Sequence, residues 1–97
     1  MLKILNVLGY KYALKSVLPT DTLDAHGRFI PRTQEIHIAD DLSKEEKVSV
    51  ILHELLEGIN YHLELELEHK AITCLETALY QVLTSNGVNL APLLRKR

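Results

Sequence analysis

A single cysteine in 97 residues, Cys74, cannot close an intrachain disulfide, which excludes a disulfide-stapled secreted scaffold. Cysteine-rich zinc sites are excluded with it, so any metal must be held by His, Asp or Glu. No apolar run approaches the roughly 18–20 residues of a membrane span, and the first residues lack a signal peptide's apolar stretch and cleavage site. Internal repeats, linkers and low-complexity segments are missing too. These absences describe one domain over residues 1–97, with room for a single core, expected in the cytoplasm and without a membrane partner.

Charge of either sign is nearly balanced, with 13 acids against 11 bases for a net −2, but it is segregated. Residues 40–68 hold nine acids and two lysines, net −7, which leaves +5 for the remainder. Three of the remaining bases are the terminal Arg95, Lys96 and Arg97. They read as a solvated tail without the aromatic interleaving of a nucleic-acid surface, so nucleic acid is not an expected partner.

The hydrophobic period changes near residue 42. About residues 1–41 are strand-rich. Leu2–Leu8 and Tyr10–Leu18, rich in Val, Ile, Leu and Tyr, flank Gly9 and predict two strands. Pro19 ends the second. Thr22–Ile30 is ambiguous, with a short extended piece between turn-like segments at His26-Gly27 and Pro31–Gln34. Glu35–Ala39 alternates, with Ile36 and Ile38 on one face and Glu35 and His37 on the other, and predicts a half-buried strand at a possible sheet edge.

Beyond Leu42 the period is helical. Ser43 with Glu46 forms a capping box, and Val48, Ile51, Leu52, Leu55, Leu56, Ile59 and Leu63 share one arc, predicting a helix over about 43–63. Leu63–Leu67 alternates with period two and predicts a break. A second helix follows over about 68–84, stopped by Ser85-Asn86-Gly87, and 88–97 reads as a loosely held tail. The expected fold class is α+β, a small mainly antiparallel N-terminal sheet followed by two packed helices.

The string His53-Glu54-Leu55-Leu56-Glu57 carries the chemistry. Residues i and i+4 share a helix face, so His53 and Glu57 can converge on one ion. Glu54, rotated 100° from His53, is placed to act on water at that ion as a general base. A third ligand is needed, and His62, Glu64, Glu66, Glu68 and His69 are candidates. His62 points to the opposite side of the first helix. His69 opens a helix that must fold back across the first, which makes it the preferred ligand. His53, Glu57 and His69 then form a His₂Glu set suited to zinc, with a fourth position free. His37 is expected to face solvent or the cleft, and His26 lies in a turn. Cys74 reads as a small buried hydrophobe. Tyr61 and Tyr80 read as core or rim packing.

A strand-rich N-terminal half, a capped helix bearing the His-Glu-Leu-Leu string and a helix ending Leu79-Tyr80-Gln81-Val82-Leu83 resemble the small phage-type relatives of the ImmA/IrrE metallopeptidases. The likeness covers roughly residues 35–84 well and the first 34 loosely. It implies a minimal zincin-like fold in which Glu54 matches the family's general base. The family's second histidine is here Glu57, and its third-ligand glutamate falls on His69, an exchange that conserves the ligand inventory. The activity implied is zinc-dependent hydrolysis of a peptide or protein substrate, which could be aligned along Glu35–Ala39 by strand addition. The alternatives are a non-catalytic phage-type regulatory or binding module on the same fold, with a structural metal or none, or a plain α+β interaction domain without metal.

Overall fold

The computed structural model describes residues 3–22 and 25–95. Its chain order is β1 (Lys3–Val7), β2 (Tyr10–Val17), β3 (Gly27–Ile30), β4 (Glu35–Ala39), α1 (Lys44–Leu63) and α2 (His69–Ser85), with short 3₁₀ turns at Pro19–Thr22 and Ala91–Leu94. The expected α+β architecture, a four-stranded sheet followed by two helices, is what forms.

β1 and β2 make a hairpin in which Val7 faces Tyr10 across the two-residue turn Leu8-Gly9. Both turn residues have positive φ, 54° and 92°, the primed geometry that matches the twist of the strands and that glycine adopts without strain. The sheet order is β1-β2-β4-β3, with β4 parallel to β2 and antiparallel to β3. β4 is therefore bonded on both sides, which corrects its expected place at an edge. Alternation reveals which face is buried; it is silent on pairing partners. The edge next to β4 is β3, the short extended piece within the ambiguous 22–30 segment.

Leu5, Val7, Tyr12, Leu14, Ile36 and Ile38 turn one sheet face towards Ile51 of α1. Gly58 lets the helix close on the sheet, since a Cβ there would meet the Phe29 ring at 3.0 Å and Val7 at 3.1 Å. Leu93 and Leu94 of the second 3₁₀ turn also pack against this cluster, so the expected loose tail is anchored at these two residues. Lys96 and Arg97 lie outside the described residues.

α1 begins as expected: Ser43 Oγ accepts from Glu46 N–H at 3.2 Å, and Glu46 Oε1 accepts from Ser43 N–H at 3.0 Å. It ends where Glu64 turns left-handed at φ 51°. Asn60 then reaches across the loop, its Oδ1 accepting from Leu67 N–H at 2.9 Å and its Nδ2 donating to Leu67 O at 3.4 Å. This clamp makes the predicted break and starts α2 at His69. α2 lies on α1 and fully buries Ile72. Cys74 is exposed, a correction: the buried stripe of α2 is narrower than its apolar composition suggests. No helix among the described residues is long and apolar enough to cross a membrane.

Opposite the helices, Lys15 pairs with Glu35, whose Oε1 stands 3.0 Å from His37 Nε2. Hydrogen bonds from Lys15 and then from His37 hold the Glu35 carboxyl down at about 2. A carboxyl with a lowered folded-state pKa adds stability above its unfolded pKa, and that stability is lost as pH falls. The thermal midpoint should thus drop between about pH 4.5 and about 2, and Glu35→Gln should flatten that segment of the profile. An unchanged slope in the variant would remove Glu35 from the acid transition.

Candidate metal centre

α1 offers Ser49, His53 and Glu57 at successive i+4 positions, and α2 offers His69, Thr73 and Glu76 along one face. Folding α2 back on α1 sets these stripes against each other in a cleft of about 610 Å³, floored by the start of β3. One donor atom from each of His53, Glu57 and His69 lies within 4.8 Å of the others. His53 Nε2 is 3.4 Å from Glu57 Oε2, and His69 Nδ1 is 3.6 Å from the same oxygen. Ligands about 2.1 Å from a tetrahedral ion stand about 3.4 Å apart, close to the two distances that meet at Glu57 Oε2. The donor chemistry agrees, with two imidazoles and one carboxylate. The expected convergence of the three residues is therefore what the structure shows; it does not identify an ion.

His69 is open to solvent, with 77% of its side chain exposed, while His53 and Glu57 are set deeper at 14% and 28%. The other ring nitrogen of His69, Nε2, reaches Thr73 Oγ1 at 3.5 Å. Glu54 lines the same cleft and is only 6% exposed, on the sheet-facing stripe of α1 with Val48, Ile51 and Gly58. Burial, then the neighbouring charges of Glu57 and Glu76, push its carboxyl up to about 8. It fits because the facing strand begins with Gly27. A Cβ there would come within 2.6 Å of Val50 Cγ1, 2.9 Å of the His37 carbonyl and 3.1 Å of Glu54 Oε2. Gly27→Ala should therefore cost about 1–3 kcal/mol by overpacking, read as a lower denaturant midpoint. A variant as stable as wild type would show that β3 can retreat from α1.

The remaining histidines stay out of the cluster. His62 is held in an aromatic nest, stacked on Tyr10 at 4.0 Å and hydrogen-bonded to Tyr12 Oη at 2.7 Å. His37 is on the far sheet face beside Glu35, so its cleft-facing option is not realised. His26 lines the cleft. Tyr61 packs beside Phe29 and His62 and is more than half exposed. Glu64, Glu66 and Glu68, the other candidate ligands, are exposed and outside the convergent group.

Glu76 was not among the expected site residues. Its Oε1 accepts from His53 Nδ1 at 3.1 Å, and Ser49 Oγ donates to its Oε2. The available signal was its spacing of seven residues from His69, two helical turns along one face. Comparison with known protein families, with curated proteins and with solved structures returns no match to this chain.

Proposed function

We propose that this protein is a small zinc-dependent metallopeptidase-like hydrolase, in line with its resemblance to the ImmA/IrrE metallopeptidases. The observation that carries the reading is the convergence of His53, Glu57 and His69 in a cleft that also contains the buried carboxyl of Glu54. His53, Glu57 and His69 would hold zinc, which would supply a Lewis acid able to polarise a substrate carbonyl and lower the pKa of water from 15.7 towards about 7.

Glu54 takes the proton from the attacking water and returns it to the leaving amine. Its carboxyl lines the same cleft as the three ligands, and its burial favours taking up a proton. Glu57 is held between the two imidazoles and keeps the ligand set at one negative charge. β3, bonded to β4 on one side and lining the cleft with Gly27 and Phe29, replaces Glu35–Ala39 as the strand along which an extended peptide can be aligned.

The second reading is a non-catalytic binding or regulatory module on the same fold. It is favoured by the tight seating of Glu54 against Gly27, which serves packing as well as chemistry. Elemental analysis together with cleavage of an unbiased peptide library separates the two. Zinc with cleavage that Glu54→Gln abolishes supports the hydrolase; zinc without cleavage supports the module with a structural metal; no zinc at neutral pH removes the hydrolase and leaves the module in its metal-free form.

A further inference from the structure

We infer that Glu76, held by Ser49, is a positioning residue that fixes which nitrogen of His53 is offered to the metal. The inference rests on the metal site proposed above and extends it to residues outside the ligand set.

Glu76 approaches His53 from behind. Its Oε1 meets Nδ1 at 3.1 Å, while the opposite ring nitrogen, Nε2, faces Glu57 Oε2 at 3.4 Å. A carboxylate can only accept, so Nδ1 donates to Glu76, and an ion taking the place of a proton between Nε2 and Glu57 would find the Nε2 lone pair directed into the cluster. The second oxygen of Glu76 is taken by the Ser49 hydroxyl. With a donor on each oxygen and the ring of His53 between it and Glu57, Glu76 is arranged to orient a ligand and not to be one.

Ser49 and His53 are one turn apart on α1, and Glu76 comes from α2, so the relay crosses the helix interface. Both partners of the central contact are largely shielded, His53 being 14% and Glu76 18% exposed, so water competes weakly for it. The cluster thus has one carboxylate inside and one behind: Glu57 faces the ion position, and Glu76 sets the imidazole. Removing an outer partner of this kind typically costs 10–100-fold in metal affinity.

The test measures zinc affinity by competition with a chromophoric chelator, and the His53 tautomer by long-range ¹H–¹⁵N correlation in the metal-free full chain. Glu76→Ala should weaken zinc binding by about 10–100-fold and shift the His53 proton away from Nδ1. Ser49→Ala should do the same to a smaller degree. Glu76→Gln, whose amide oxygen can still accept, should recover part of both effects and serves if the alanine variant does not fold. A folded Glu76→Ala protein with zinc affinity within a factor of about three of wild type overturns the inference, being well short of the 10–100-fold expected. So does a wild-type His53 that carries no proton on Nδ1. If wild type binds no zinc, the metal reading fails on its own; the tautomer measurement still decides whether Glu76 sets the ring.

Discussion

Protein purified without chelator is expected to carry about one zinc per chain, and His53→Ala/His69→Ala protein essentially none. The double variant leaves Glu57 as the only member of the convergent group, and a lone carboxylate on a helix does not retain zinc against buffer. The effect on stability should be large. A ligand that binds only the folded state stabilises it in proportion to the logarithm of its excess over Kd, about 4 kcal/mol at a thousandfold excess. For a domain of this size that corresponds to roughly 15–30 °C in Tm. Added zinc should therefore raise the melting temperature of chelator-treated wild type by tens of degrees and leave the double variant where it was. Identical melting curves with and without zinc in the wild type would remove the metal from the account.

Glu54→Gln is expected to separate chemistry from folding in opposite directions. Loss of a general base typically lowers turnover by about 10²–10⁴-fold, and the substitution touches none of the three ligands, so zinc should stay. At neutral pH the metal-free variant should also melt higher than metal-free wild type. A buried carboxyl beside Glu57 and Glu76 is costly to ionise, and the amide has nearly the same shape without the charge. A group that is unfavourable for folding and retained in a cleft is what a functional site predicts. Cleavage at the wild-type rate would discard Glu54 as the base; a lower melting temperature would show that its carboxylate is needed structurally.

Local patterns carried much of this protein in its sequence. The capping box at Ser43 and Glu46, the turn at Gly9 and the i, i+4 pair His53/Glu57 depend on residues within a turn of one another, and each forms as expected. His69 was legible for a different reason: a short break after an amphipathic helix forces the next helix to fold back, which brings its first turn beside the middle of α1. What escaped depends on contacts between distant segments. β4 reads as a half-buried strand wherever it sits, and only its pairing with both β2 and β3 places it inside the sheet. Leu93 and Leu94 have no periodicity to announce them, yet they find the core beside Ile51. Glu76 looks like one charged residue on a polar helix face until α1 supplies Ser49 and His53 opposite it. Glu54 belongs by charge to a solvated face, and the glycine that opens β3 lets it be buried instead.

The clamp of Asn60 on Leu67 also governs how easily the cluster can assemble. By fixing the loop to the end of α1, it holds His69 near Glu57 before any ion arrives, a high effective concentration with little loop entropy left to lose. α2 is tied to α1 by Ile72, its one fully buried residue, and by the hold of Glu76 on Ser49 and His53. An ion joining α2 to α1 would add to these ties and oppose local opening of α2. The helix that an ion would fasten also supplies the last ligand, His69, so amide exchange along α2 should slow when the site is occupied.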